Sequence, residues 1–319
     1  MNRSGPASPG LARVAKLTGA ATFVLLTAGA SVTSTGSGLA VPDWPLSYGK
    51  LFPRMTGGVL FEHGHRMVAG VVAVAMLVLA AWARRAEPRR WARRLAYLAF
   101  ALVVFQAVLG GLTVLLLLPP AISVAHAGTA MLVFALVLSY AVVTSRSWTE
   151  TAPGASAKAA RLAPWAACAA GLIYAQILVG AVMRHLGAGL ACPDFPLCHG
   201  RLLPPLTTLY VAIHFYHRVG GVLVTLAVWS LAFAASRAGG EAPQVARLAG
   251  AAAGLVGVQL VLGALSVTTR LSPPITVLHH AGGAALFGLS LALTLWCHRL
   301  AARSGAAVVV PGWAGEGAR

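Results

Sequence analysis

Long runs of apolar residues alternate with short polar segments along the whole chain. Eight of these runs, each about 20 residues, are long enough to cross roughly 30 Å of hydrocarbon as a helix. They lie at residues 15–35, 66–83, 95–117, 123–144, 164–185, 212–235, 248–268 and 276–297. The pattern predicts an all-α integral membrane protein with eight transmembrane helices.

The composition excludes two other classes of protein. The chain of 319 residues is 58% hydrophobic and 10% charged, whereas about a quarter of the residues of a soluble protein are charged and a disordered chain is poor in apolar residues. The net charge of +17 comes from basic residues between the apolar runs. Most of them lie in the segments that the positive-inside rule assigns to the cytoplasm, together with both termini. The charge therefore indicates topology, and no nucleic-acid partner is expected.

The second half of the chain repeats the first. Four matches occur in the same order, at offsets that drift from 151 to 154 residues: 38–46 with 189–197, 65–70 with 217–221, 106–110 with 259–263, and 126–128 with 280–282. Four helices in each unit give both units the same orientation in the membrane. We therefore expect two tandem four-helix bundles, related by a pseudo-two-fold axis along the membrane normal.

The repeat defines the predicted domain organisation. The segments are a cytoplasmic N-terminus (1–14), a first four-helix unit (15–144), a cytoplasmic linker (145–163), a second four-helix unit (164–298) and a cytoplasmic tail (299–319). The last residues, 301–319, are predicted to be disordered. The outer loops, 36–61 and 186–210, contain Pro and Gly and are predicted to form compact caps.

Four histidines that belong to the repeated motifs are expected to lie at the same depth in the membrane. His65, His126, His217 and His280 each lie 19 or 20 residues before the next cytoplasmic arginine, which is roughly 30 Å of helix. All four should lie at the outer edge of the hydrocarbon, where a buried imidazole needs a partner. Two pairs of imidazoles on parallel helices are what two bis-histidine haems require. Arg66 and Arg218 directly follow a predicted ligand and are candidates for binding haem propionates.

The units differ at one position that bears on chemistry. Glu62 lies three residues before His65, whereas its counterpart in the second unit is His214. We favour Glu62 as an acid, a base or a charge stabiliser beside one haem site, with a solvated carboxylate as the alternative. A di-iron carboxylate site is excluded, since it needs further carboxylates that this chain lacks.

Other histidines and the cysteines have simpler interpretations. His63, His185 and His199 are predicted to be surface or second-shell residues, and His279 and His298 are not expected to be ligands. Cys192 and Cys198 flank a loop segment that a disulfide can close in an oxidising compartment, although two free thiols remain an alternative. The in-helix residues Cys168 and Cys297 are expected to be small apolar residues.

With these motifs in order, residues 15–300 resemble the haem A synthase family. The resemblance implies an enzyme that oxidises the C8 methyl group of haem O to the formyl group of haem A by successive hydroxylations and loss of water. It further implies that His65 and His126 bind the substrate haem, with Glu62 as the catalytic residue, and that His217 and His280 bind a permanent haem b. Many bacterial relatives carry a cysteine pair in the first outer loop. This chain lacks that pair, which makes Cys192 and Cys198 structural.

Partners and location follow from the same resemblance and from topology. A haem O synthase is the implied source of substrate, and a haem-copper oxidase is the implied recipient of the product. The expected location is a bacterial plasma membrane, with the haem sites near the extracytoplasmic side. The electron acceptor, the oxygen source and homo-oligomerisation are left open. The alternatives are a bis-haem cytochrome that exchanges electrons with quinone, and a haem transporter.

Overall fold

The computed structural model describes residues 8–154, 156–237 and 240–301. The helices of this part of the chain are α1 (Pro9–Ser34), α2 (Gly58–Ala86), α3 (Arg90–Leu115), α4 (Pro120–Val143), the short α5 (Arg146–Glu150), α6 (Ala157–His185), α7 (Leu209–Ser236), α8 (Pro243–Thr268) and α9 (Pro273–Ala301). Eight of them are long and apolar enough to span a membrane, which confirms the predicted fold class. The predicted disorder of the tail falls outside the described residues, apart from Ala301 at the end of α9.

Helices begin earlier than hydropathy predicts. α2 begins at Gly58 instead of residue 66, and α6 begins at Ala157, so that Pro164 lies inside the helix and not at its start. An apolar run marks only the part of a helix within hydrocarbon, whereas backbone hydrogen bonding continues into the interface. The first residue is fixed by local signals: the Ser156 side chain accepts a hydrogen bond at 3.1 Å from the N–H three residues later, as an N-cap does.

The long helices form two rings of four. In the first, α1 packs on α2, α2 on α3, α3 on α4 and α4 on α1; in the second, α6, α7, α8 and α9 pack in the same cyclic order. The two rings meet where α1 packs on α9, α4 on α6, and α4 on α9. Exchanging the two halves leaves this set of contacts unchanged, which supports the predicted pseudo-two-fold relation. The orientation of its axis in the membrane stays a prediction.

The junction between the halves is a buried apolar core. It contains Phe134 on α4, Ile173 on α6 and Phe287 on α9, each less than 9% exposed. Tyr174 on α6 donates a hydrogen bond at 3.3 Å to the carbonyl oxygen of Gly128 on α4. Burying aromatic surface between helices stabilises their association, and the packing fixes the two rings relative to one another.

The outer loops, residues 35–57 and 186–208, share one backbone design. Each contains a cis peptide bond before a proline, Pro45 in the first and Pro196 in the second. In each loop an aspartate closes a turn by accepting two main-chain hydrogen bonds at 2.7–2.8 Å: from Tyr48 and Gly49 to Asp43, and from His199 and Gly200 to Asp194. These bonds lower the pKa of both aspartates, because they favour the ionised carboxylate. The bonds from Gly49 and from Gly200 contribute most to this shift. The loops are compact, as predicted.

Candidate functional site

The predicted histidines lie on helices that face each other across the two rings. His65 lies on α2 and His126 on α4, which occupy opposite corners of the first ring. His217 lies on α7 and His280 on α9, at opposite corners of the second. Two side chains in each ring can thus approach a central group from opposite sides.

A glycine on a neighbouring helix lies against an imidazole at four places. A Cβ atom added to the glycine would lie 3.0–3.4 Å from the ring Cε1 in these pairs: Gly29 with His65, Gly110 with His126, Gly180 with His217, and Gly263 with His279. In three of the pairs the imidazole would have to move by a few tenths of an ångström to admit a Cβ, and in the fourth the distance is close to ordinary contact. The glycines therefore let each ring lie close to the backbone of the helix before it.

The fourth pair contains His279, whereas the sequence comparison predicted His280. Gly110 and His126 correspond to Gly263 and His279 at a single offset, so the structural repeat runs one residue out of step with the matched His-Ala-Gly motif. Successive side chains on an α-helix diverge by about 100°, and the packing of α9 on α8 turns His279 toward Gly263. His280, the ligand predicted from sequence, is exposed on α9, with its Nδ1 2.7 Å from the carbonyl oxygen of Thr276 one turn earlier; its role as a ligand stays a prediction.

The rings of His217 and His279 lie opposite one another. Their centroids are 6.5 Å apart and their planes are inclined by 82°. Two imidazoles that bind one metal ion have centroids about 6 Å apart, because each metal–nitrogen bond is about 2 Å long. A pair of imidazoles fits an iron whose other ligands come from a porphyrin.

Glutamine side chains hold two of the histidine-bearing turns. The Nε2 of Gln106 on α3 donates to the main-chain oxygen of His126 at 2.8 Å and lies 3.0 Å from its Nδ1. The Nε2 of Gln176 on α6 donates to the main-chain oxygen of His217 at 2.7 Å and lies 3.1 Å from its Nδ1. Each amide thus holds the main chain of the turn that carries the histidine, and the held turn positions the ring.

Glu62 is buried and fully hydrogen-bonded. It is 4% exposed, its Oε1 lies 2.6 Å from Nη2 of Arg66, and its Oε2 accepts from the N–H of Val41 at 2.8 Å. A buried carboxylate is costly unless it is paired and hydrogen-bonded, and both conditions are met here. Glu62 therefore ties the first outer loop to α2, three residues before His65.

Arg66 and Arg218 direct their donors to loop carbonyls. Arg66 Nη1 donates to the main-chain oxygens of Asp43 and Leu46 at 2.7 and 2.8 Å. Arg218 donates to the main-chain oxygens of Leu197 and Cys192 at 2.7 and 2.8 Å. Both arginines therefore hold their outer loops. The Nε of Arg218 has no hydrogen-bond partner in the described part of the chain, and the binding of haem propionates stays a prediction.

The second outer loop contains the predicted disulfide. Cys192 and Cys198 are bonded, with Cα atoms 4.7 Å apart, which confirms the pair. In the first loop the position of Cys198 is taken by Ser47, whose Oγ lies 2.7 Å from Nδ1 of His63. His63 is 6% exposed, so of its two predicted places the surface is ruled out, and it is a buried partner of the loop.

A cavity of about 350 Å³ lies on the other side of the protein, between the two halves. Residues lining it include Lys16 on α1, Val142 on α4, Leu248 on α8 and Trp296 on α9. None of its lining residues is a histidine. The cavity is therefore separate from the site that the imidazoles form.

The glutamines could have been predicted from the sequence, but a comparison of the two halves of the chain finds only some of them. The pattern Gln-x-x-x-Gly occurs at 106–110, 176–180 and 259–263, on the first helix of three helix pairs. The fourth pair has Leu25-x-x-x-Gly29. A comparison of helix pairs, instead of halves, finds all four positions.

Comparison with known proteins agrees with this architecture. The profile of the COX15-CtaA family, described as cytochrome oxidase assembly protein, matches residues 55–291. A protein of Halalkalibacterium halodurans named heme A synthase is 34% identical over 230 residues, 67% of this chain and 74% of that protein. One from Symbiobacterium thermophilum with the same name is 35% identical over 247 residues, 74% of this chain and 79% of that protein.

A third relative with this name covers more of the chain. The heme A synthase of Lysinibacillus sphaericus is 29% identical over 273 residues, 84% of this chain and 88% of that protein. The segment that the family profile matches, residues 55–291, contains α2 to α8 in full and most of α9. With two histidine-bearing rings of four helices and these similarities, the chain belongs to the COX15-CtaA family of cytochrome oxidase assembly proteins.

Proposed function

We propose that this protein is a haem A synthase, which oxidises the C8 methyl group of haem O to the formyl group of haem A. The observation that carries the proposal is the duplicated site: each ring of helices presents imidazoles seated on glycines, and only the first ring has a carboxylate beside them. The relatives named heme A synthase support the same activity.

The first ring is the proposed substrate site. His65 and His126 bind the iron of haem O there, and Glu62 lies one helical turn from His65 on the same face of α2. The equivalent position in the second ring is His214, which is neutral or cationic. Chemistry on a carbon–hydrogen bond releases protons, and a carboxylate is suited to accept them or to stabilise the charge that develops.

The second ring is the proposed site of a resident haem b. His217 and His279 bind its iron, in place of the His217 and His280 pair expected from sequence, because their rings face each other at a suitable distance. When bound, this group supplies one-electron transfer. The chain contributes fixed ring orientations, an apolar surround and the hydrogen bond from Gln176 to the His217 turn.

The reaction requires an oxidation in two stages. Each hydroxylation replaces a C–H bond by a C–O–H group and removes two electrons from the methyl carbon, and the resulting geminal diol then loses water to leave the formyl group. When water supplies the oxygen atom, two electrons and two protons are released in each hydroxylation, and the electrons pass to an acceptor outside this chain. When dioxygen supplies it, two electrons and two protons have to be delivered instead, to reduce the second oxygen atom to water. A haem O synthase supplies the substrate, and a haem-copper oxidase receives the product.

The proposed location is the plasma membrane of a bacterium. Basic residues between the helices favour cytoplasmic termini and cytoplasmic connections after α2, α4 and α7. The histidines, near the starts of α2, α4, α7 and α9, then lie toward the extracytoplasmic side. A disulfide in the second outer loop agrees with that side being the oxidising one.

Haem extraction tests the proposal. The protein is purified after expression alone and after expression beside a haem O synthase, and its haems are separated and weighed by mass spectrometry. We expect haem b in the first preparation, joined in the second by haem O and by haem A or a hydroxylated intermediate. Haem b alone in both preparations would instead indicate an electron-transfer cytochrome.

A further inference from the structure

We call the glycine that packs against each imidazole, together with its helical turn, the seat of that histidine. One of the four seats lacks a glutamine that the other three contain. The residue four positions before the seating glycine is Gln106 on α3, Gln176 on α6 and Gln259 on α8, but Leu25 on α1. The four positions are equivalent, because each glycine contacts the Cε1 side of the imidazole on the following long helix. The difference therefore concerns one imidazole, that of His65.

A glutamine in this place holds the histidine-bearing turn to the helix before it. For His126 and His217 the amide donates to the main-chain oxygen at 2.7–2.8 Å and lies 3.0–3.1 Å from the ring Nδ1. Gln259 lies in the same groove, with its Nε2 against Gly282, where a Cβ would be. Gly282 follows His279 by three residues, so the amide lies one turn along from the ring.

The leucine side chain offers neither donor nor acceptor. The ring Nδ1 of His65 has no side-chain partner in the described part of the chain and faces the main-chain carbonyl of Leu25. The ring Nδ1 of His279 faces the main-chain carbonyl of Gln259 in the same way. The two seats therefore differ in the side-chain amide beside the histidine-bearing turn, which Leu25 cannot provide. Because outer contacts of metal-binding histidines contribute to metal affinity, the missing amide leaves one ligand less firmly held.

We propose that His65 is the exchangeable iron ligand of the substrate site, because Leu25 leaves its imidazole without the positioning amide. This inference rests on the proposed function. Haem O has to enter the first ring and haem A has to leave it, whereas haem b stays in the second. His126 is then the firmly held ligand of the iron, and His65 is the weakly held one. When His65 dissociates, a small ligand can bind the iron in its place. Leu25 is a positioning residue, since it acts through His65.

The test exchanges the residues at equivalent positions of α1 and α6. Leu25→Gln adds the amide to the first ring, and Gln176→Leu removes it from the second. Leu25→Met and Gln176→Met are matched controls, because methionine has nearly the shape of glutamine without its hydrogen-bonding groups. Each protein is purified from cells that also make haem O, reduced, and exposed to carbon monoxide, and the fraction of each haem that binds carbon monoxide is read from its absorption spectrum.

In the unmodified protein we expect carbon monoxide to bind the haem of the first ring and to leave haem b unreacted. Leu25→Gln should lower the reactive fraction of the first haem at least about fivefold, whereas Leu25→Met should leave it unchanged. Gln176→Leu and Gln176→Met should both make haem b reactive. If Gln176→Leu loses haem b altogether, the comparison of Leu25→Gln with Leu25→Met still decides.

The outcomes separate this inference from the proposed function. Haem O or haem A in the purified protein, with equal carbon monoxide binding in the unmodified protein, Leu25→Gln and Leu25→Met, overturns the inference alone. Preferential reaction of haem b in the unmodified protein also overturns it. A first ring that never contains haem overturns the proposed function and the inference with it.

Discussion

Glu62 on α2 and His214 on α7 hold the two outer loops in the same way. The main-chain N–H of Val41 donates to Glu62 Oε2 at 2.8 Å, and that of Cys192 donates to His214 Nδ1 at 3.3 Å. The two side chains also stand next to an arginine one turn later, Arg66 or Arg218, which holds the same loop. A carboxylate and an imidazole thus both hold an outer loop, and at this position the two sites differ in the charge of Glu62.

Because the two side chains are equivalent in this respect, a substitution can remove the charge of Glu62 and keep its hydrogen bond. In Glu62→Gln and Glu62→His the side chain still accepts from Val41, so the loop should stay in place and haem should remain bound. We expect formation of haem A to fall about 100-fold or more, the usual contribution of a group that transfers protons. Product analysis with a haem assay checks both expectations. Undiminished haem A synthesis by either variant would leave Glu62 with a structural role only.

The register of α9 predicts which of two adjacent histidines binds iron. His279→Ala should lose most of the haem b, because His279 faces His217 with a centroid distance of 6.5 Å. His280→Ala should retain it, since His280 is exposed on α9 and it is His279 that packs against Gly263. Pyridine haemochrome spectra of the purified proteins give the haem content. The opposite result would restore the pairing predicted from sequence.

The glycine seats predict steric sensitivity at single positions. In Gly180→Ala the new Cβ would lie 3.0 Å from Cε1 of His217, so the ring has to move and haem b should be lost or spectrally shifted. Gly171→Ala on the same helix is the control, because a Cβ there meets nothing within 4 Å. Alanine stabilises a helix relative to glycine, and the control should therefore be at least as stable as the unmodified protein. Equal haem spectra for the two variants would contradict the role of Gly180 as a seat.

Removal of the disulfide should affect stability more than turnover. Cys192 and Cys198 are six residues apart, and closing so short a loop contributes about 2 kcal/mol by restricting the unfolded chain. The variant with both cysteines changed to serine should unfold at a temperature a few degrees lower, with haem A synthesis retained below it. Cys168→Ser, at an exposed free cysteine, is the control in the same thermal assay. Loss of activity without loss of stability would indicate a redox role.

Acid should loosen the outer loops. The pKa of Asp194 is lowered by the hydrogen bonds from Gly200 and His199, so the stabilisation that these bonds give is complete above its ordinary value of 3.8 and is lost as the pH falls through the lowered one. Limited proteolysis of the second loop should therefore be slow at neutral pH and faster in strong acid. Asp194→Asn should be cut faster already at neutral pH. Asp43→Asn is the corresponding test for the first loop. If a loop is cut at the same rate with aspartate as with asparagine, these hydrogen bonds do not hold that loop.

The order of the helices and the duplication were available from the sequence. Spanning the hydrocarbon demands about 20 apolar residues for each helix, so eight runs predict eight helices without any knowledge of packing. A repeated segment folds in the same way twice, and residues 38–46 and 189–197 do so in the outer loops. The disulfide followed from local spacing, because both cysteines belong to one short loop.

The identity of the facing imidazoles was decided by tertiary structure. A shift of one residue turns a helical side chain by about 100°, and only the packing of α9 on α8 determines whether His279 or His280 turns toward Gly263. The donors of Arg66 were likewise assigned by the fold, because the carbonyls that they bind lie more than 15 residues away in the chain. Composition and periodicity report which residues a helix contains. The contacts between helices determine where those residues point, and here they decided which histidines face one another.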